Sequence, residues 1–183
     1  MPESKDYMID YNRAKDSALK DIAEFMAIAC RTAPKTRGRD NLEIIIIDSE
    51  QEKQSLIDKM KEIALRDKRP SCERDAGNIS ESKYLLIVGT RSETLGLNCG
   101  FCGYPSCDEL SKKGGVCAYN AMDLGIALGS AVSLAARFHA DNRIMYSVGK
   151  AAIELGLFKK NVKQAIGIPL SGTGKNPFFD RKA

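Results

Sequence analysis

The chain has 183 residues, of which 43% are hydrophobic and 28% charged, and carries a net charge of +4. That length suits one domain with room for an insertion, and that composition excludes a mostly disordered chain, collagen and a coiled coil. The balance is mildly basic, with a pI of about 8.7, which does not by itself point to nucleic acid. A single His, His139, rules out a His-rich metal centre within one chain and weakens any Ser–His–Asp or Cys–His reading. The unusual count is six Cys, because four of them fall between Cys99 and Cys117.

The N-terminus, MPESKDYMIDYNRAK, is charged throughout and has no apolar core, so no secretory signal is expected. A first helix is predicted over 11–33: Leu19, Ile22, Met26 and Ala29 share one face, and Pro34 stops it. Asp40-Asn41 is turn chemistry. Glu43 to Asp48, with four consecutive Ile, predicts a strand covered on both faces. A second amphipathic helix is predicted over 50–66, with Leu56, Ile57, Met60, Ile63 and Ala64 as its stripe. Segment 67–82 is polar and is expected to be a loop. Tyr84 to Val88 predicts a second buried strand, closed by Gly89.

A Cys-rich insertion follows at 95–117, and then a helix over 118–138. Gly125, Gly129 and Ser133 share one of its faces, where small residues let another backbone approach. Leu124, Leu128, Ala131 and Ala135 lie opposite. A helix apolar nearly all round is central or lies at a subunit interface. Asp123 and Arg137 argue against a membrane span. Asp141 is expected to cap a helix over 142–156 that Gly156 ends. A third strand is predicted over 163–170, before a glycine-rich, basic tail. No internal repeat stands out. The pattern predicts a single domain over 1–183, α+β in class, with helices layered on a small sheet and the Cys-rich segment inserted at 95–117.

Cys99, Cys102, Cys107 and Cys117 are spaced C-x2-C-x4-C-x9-C. Four thiolates in one short segment can converge on one centre, and Gly100 and Gly103 let the backbone wrap closely around it. Such ligation holds [4Fe–4S] clusters. Lys112, Lys113 and the start of the long helix, where Cys117 sits, would favour the resulting negative charge. Zinc also takes four Cys, but its structural sites usually use two separated C-x2–4-C pairs, and here there is one. Disulfides rank third. The absence of a signal predicts a cytoplasmic protein, where clustered Cys mean metal or redox chemistry. Cys30 reads as a small buried hydrophobe. Cys72, in the polar segment, has no assigned role.

Arg31, Lys35, Arg37 and Arg39 place four cations in nine residues at a helix end. A solvated helix end and an anion site account for them equally well. The tail SGTGKN is not a P-loop, because Pro169 and Asn176 stand where Gly and Ser or Thr are required. It remains a candidate anion-binding nest with Lys175. His139 reads as a helix-end cap rather than a base. Tyr104, Tyr119 and Tyr146 read as packing residues, and Phe178-Phe179 as docking on the core or on a neighbouring subunit. No residue stands out as a general acid or base.

The runs ACRTAPKTRGRD, LNCGFCGYPSC, GVCAYNAMDLGIALGSA, DNRIMYSVGKAA and GIPLSGTGKNPFFDR together resemble a family of small ferredoxin-domain proteins of unknown function. The likeness runs from about residue 20 to Arg181. That family occurs mainly in anaerobic microbes, which suits an oxygen-sensitive cluster. A second, weaker resemblance is to flavin-dependent nitroreductases. It rests on Ala33-Pro34 leading into a strand, on the small residues Gly125 and Gly129 of a central helix, and on Gly167-Ile168-Pro169 in a late strand. It implies a nitroreductase-like core, a homodimer and FMN held between subunits. Arg31, Lys35, Arg37, Lys175 and Arg181 are then candidate phosphate contacts. The expected function is an iron–sulfur flavoprotein oxidoreductase passing electrons between the cluster, FMN and a small acceptor. The alternatives are a cluster-only carrier or redox sensor, and a zinc-stapled binding module. The redox partner is unidentified; neither membrane nor nucleic acid is expected.

Overall fold

The computed structural model describes residues 8–159 and 161–179. Helix α1 (Tyr11–Thr32) starts where the Asp10 carboxylate accepts the N–H groups of Asn12 and Arg13 at 2.8 and 3.1 Å. It ends one residue short of Ala33-Pro34, and a short 3-10 turn at Thr36–Gly38 follows. Strand β1 (Leu42–Ile47), helices α2 (Glu50–Arg66) and α3 (Pro70–Ser80) and strand β2 (Tyr84–Arg91) come next. Beyond the Cys segment and its short helix α4 (Cys107–Lys112) lie α5 (Ala118–Arg137), β3 (Asp141–Asn142), α6 (Tyr146–Glu154) and β4 (Val162–Ser171).

The sheet has the order β1-β2-β4-β3, with antiparallel pairing throughout. Its side chains alternate between two helical layers, as a pleated strand requires. Tyr84, Leu86 and Val88 of β2 join α1 and α5 in one apolar core, while Leu85 and Ile87 join α2, α3 and α6 in the other. The four Ile of β1 divide the same way, Ile44 and Ile46 to the first core, Ile45 and Ile47 to the second. The strand is thus covered on both faces as expected, although it lies at the sheet edge.

Helix α6 packs against β4 at Gly149, where an added Cβ would lie 1.7 Å from the Ala165 carbonyl oxygen. Gly125 and Gly129, where the sequence suggested a close approach, meet nothing within 4 Å in their own chain and are exposed.

Two further expectations are corrected. Segment 67–82 is not all loop, because Pro70 opens α3, and Cys72, Ala76 and Ile79 bury a short stripe under an otherwise polar surface. Asp141 is not a helix cap. It pairs with Ser171 in β3, its carboxylate accepts the Asn176 amide at 3.0 Å, and α6 starts later, after Met145. The open edge of β4 takes residues that helix signals alone would assign to the helix.

The register sets the two ends of the sheet. Leu42, Thr90 and Gln164 align at one end, and Ile47, Leu85 and Pro169 towards the other. The Cys segment therefore leaves from the first end, after Arg91, and the glycine-rich tail leaves from the second, after Ser171. Phe178 of that tail is 3% exposed and lies in the second core. Among the described residues no helix is long and apolar enough to cross a membrane.

Candidate metal centre

Cys99 and Cys102 are carried by tight turns. Asn98, Gly100 and Gly103 have φ of 47°, 69° and 84°, and the Gly103 N–H closes a turn onto the Gly100 carbonyl at 2.9 Å. Glycine reaches that left-handed region freely, and Asn reaches it more easily than other side-chain-bearing residues. Cys107 opens α4, whose preceding residue Ser106 accepts the Glu109 N–H at 3.2 Å. Cys117 is the N-cap residue of α5. The four sulfur-bearing residues thus come from two tight turns and two helix starts, and all four line one small, partly open cavity.

The cavity has an apolar wall. Leu95 and Leu110 are 1% exposed and pack with Cys117, with Cys102, Tyr104 and Tyr119 against them. Phe101 stacks on Tyr119 with ring centroids 5.7 Å apart. The cavity is graded in exposure: Cys99 is exposed, Cys102 and Cys107 are half-buried and Cys117 is buried. One sulfur receives a backbone donor, the Asn98 N–H lying 3.4 Å from Cys107 Sγ.

Polar pins attach this segment to the core. Asn120, fully buried on the first turn of α5, donates to the carbonyls of Arg91 and Glu93 at 3.1 and 2.6 Å. Its own carbonyl accepts the Asn41 amide at 3.0 Å. Arg37 donates to the Leu95 carbonyl at 2.8 Å, and Lys163 to that of Gly114 at 2.7 Å. Asp123, one turn further along α5, accepts the N–H and hydroxyl of Thr36, which anchors the basic loop to the same helix. Sequence reading missed Asn98, Asn120 and Asp123. The last two carried a signal, because they interrupt the buried stripe of an otherwise apolar helix.

The donor set suits an iron–sulfur cluster in its chemistry. Four Cys and no His around one cavity match the ligand set of iron–sulfur clusters. Tetrahedral zinc also takes four Cys.

The remaining cysteines stand apart. Cys30 is fully buried on α1 and its thiol faces the Ala127 carbonyl at 3.4 Å; burial pushes its pKa up to about 11. Cys72 is fully buried in the second core, on a helix rather than in a polar loop.

The four described candidate phosphate contacts do not gather within one chain. Arg31 is held by the Asp40 carboxylate and the Leu42 carbonyl. Lys35 folds back onto the carbonyls of Cys30, Arg31 and Ala33 at 3.2, 2.6 and 2.9 Å, completing the C-terminus of α1. Arg37 serves the Cys segment. Lys175 is exposed in the tail, at the opposite end of the sheet, and Arg181 lies outside the described residues. His139, exposed with φ of 54°, ends α5 by donating its N–H to Ala136.

Comparison with known proteins bears on the fold and the family. The fold is similar to that of a nitroreductase with bound FMN from Bacteroides fragilis, with a TM-score of 0.59 at 14% identity over 89% of this chain and 82% of that one. It is also similar to a BluB-like flavoprotein from Clostridium difficile, with a TM-score of 0.54 at 16% identity over 98% and 86%. At such identities the likeness establishes the nitroreductase-like fold alone. In sequence, an uncharacterized protein from Archaeoglobus fulgidus is 41% identical over 176 residues, which is 91% of this chain and 94% of that one. Residues 113–181, from just before Cys117 through the tail, match the family model described as "Uncharacterized protein containing a ferredoxin domain (DUF2148)". The chain belongs to that family of ferredoxin-domain proteins.

Proposed function

We propose that this protein is an iron–sulfur redox protein whose [4Fe–4S] cluster is held by Cys99, Cys102, Cys107 and Cys117. The carrying observation is that four thiols from two tight turns, the start of α4 and the start of α5 line one partly open, apolar-walled cavity. Burial and hydrogen bonding to sulfur are the protein's means of tuning such a centre. The buried Cys117 side, against Leu95 and Leu110, excludes water; the exposed Cys99 side faces the solvent through which a redox partner would approach. When bound, the cluster supplies one-electron chemistry. Protein purified and reconstituted without oxygen is expected to be brown and to contain about four irons and four sulfides per chain. Zinc without labile sulfide would select the zinc-stapled binding module instead.

FMN is the second cofactor we propose, as part of a homodimeric oxidoreductase that serves a small acceptor in the cytoplasm. Its support is the fold shared with the FMN-bound nitroreductase. A groove of about 640 Å³ between α5, α6 and β4 also favours it. Lys150 and Lys163 flank that groove, and Lys163 is bonded to the Cys segment at Gly114. Arg31, Lys35 and Arg37 bond the chain's own oxygens, so phosphate binding would draw on Lys150 and Lys163 or on groups brought by a second copy. A second copy has apolar surface to meet: α1 and α5 expose Phe25, Ile28, Met122 and Ile126, and Phe138 stacks on Phe25. Heating the purified protein should release yellow flavin, and sedimentation should give twice the chain mass. An iron–sulfur protein that neither contains nor binds FMN would be the cluster-only carrier or sensor.

A further inference from the structure

Cys107 is treated differently from the other three cysteines. Among the described residues it is the one of the four whose sulfur receives a hydrogen bond, from the backbone N–H of Asn98 at 3.4 Å. The same residue closes a return contact, since the Cys107 N–H donates to Asn98 Oδ1 at 2.8 Å. Asn98 sits at φ of 47°, in the left-handed region. A glycine would reach that conformation at less cost but would offer no side-chain oxygen. An alanine would meet the left-handed penalty and offer no oxygen either. The clasp therefore needs a short side chain with a carbonyl acceptor, at this position and in this conformation.

We propose that Asn98 sets the reduction potential of the cluster by holding its backbone N–H on the sulfur of Cys107. This rests on the cluster reading above. Reduction adds one electron to the cluster and moves no proton; the N–H stays on Asn98. The added negative charge spreads onto the cysteine sulfurs, so an N–H aimed at one of them stabilises the reduced form more than the oxidised form. Asn98 is a positioning residue: its side chain fixes the donor, and the donor tunes the centre.

The test compares wild-type protein with Asn98→Gly, both reconstituted without oxygen. The fraction reduced is followed by electron paramagnetic resonance while dithionite and mediators set the potential. Glycine keeps the left-handed backbone accessible and removes the clasp. The reduced-to-oxidised ratio at a fixed potential is expected to fall by roughly threefold to tenfold, up to about 59 mV for a one-electron couple, with iron and sulfide content unchanged. A full cluster with an unshifted potential overturns the inference and leaves the cluster reading standing.

A second measurement decides the case in which Asn98→Gly loses the cluster. In pulsed resonance spectra, wild-type protein made with 15N-asparagine should show a 15N coupling to the reduced cluster that is missing from Asn98→Asp protein labelled the same way, in which residue 98 carries no 15N. Presence of that coupling supports the inference, and its absence overturns it. Wild-type protein that binds no iron and sulfide overturns both the cluster reading and this one.

Discussion

The sheet with its two helical layers and the Cys segment are held together by different forces. The layered core rests on apolar burial: Leu86, Ile87, Met26, Met60 and Ile79 are wholly enclosed, and the strands are joined by continuous antiparallel ladders. The Cys segment has only Leu95, Leu110 and Cys117 as its own buried apolar residues. It is held to the core by a few polar bonds instead, from Asn120, Arg37 and Lys163. A core held by many weak contacts yields gradually to substitution. A segment held by a few pins depends on each of them, and leaves its thiols free for a ligand that would finish the folding.

That contrast can be broken from either side. The largest effect on stability is expected in the core. Leu86→Ala should cost about 2–5 kcal/mol, read as a fall in denaturant midpoint. Gly149→Ala places a Cβ against the Ala165 carbonyl and should cost about 1–3 kcal/mol, by the same measurement. Both should lower cluster content only in proportion to the fraction unfolded.

Asn120→Leu should cost about 1–3 kcal/mol, because it strands the carbonyls of Arg91 and Glu93 and the amide of Asn41. Its distinguishing signature is local: hydrogen exchange should accelerate over 92–117 while β2 and β4 stay protected. Uniform acceleration would mean that the Cys segment is part of the core's cooperative unit. Cys99→Ser should leave the cluster-free protein within about 0.5 kcal/mol of wild type, since Cys99 is exposed, yet abolish iron and sulfide binding.

The smallest effect concerns acid stability. The Arg66 guanidinium, hydrogen-bonded to Glu154, holds that carboxyl below its ordinary value of 4.5, and Lys150 acts in the same direction. A depressed folded-state value contributes stability above about pH 4.5 that is lost as pH falls through the folded value. The pair lies at the surface on α2 and α6, so the loss should be slight and screened by salt. Glu154→Gln should remove that slope from acid melting curves without touching the Cys segment.

Much of the fold was legible as period and punctuation. The stripe Leu56, Ile57, Met60, Ile63 and Ala64 marks α2, Pro34 ends α1 with its neighbour, and alternation divides β1 and β2 between two cores. The short α3 escaped because Cys72, Ala76 and Ile79 are thin apolar signals among charges. The two-residue β3 escaped because its pairing with Ser171 and Leu170 is non-local. In the site, the four cysteines stand out by spacing alone. The pins are fainter: Asn120 interrupts an apolar helix, but nothing local names Arg91 as its partner or Asn98 as the partner of Cys107.

Composition, period and cysteine spacing by themselves determined the layered class, most of the element positions and the division of six cysteines into four and two. These are local properties, and the chain states them directly. Only the tertiary structure decided where the charges go. Antiparallel register sends residues 31–39 to one end of the sheet and 171–179 to the other, and folds Arg31 and Lys35 onto the chain's own oxygens. It also decided that Gly149 is where α6 meets a strand backbone within the chain, because close approach depends on the element packed opposite.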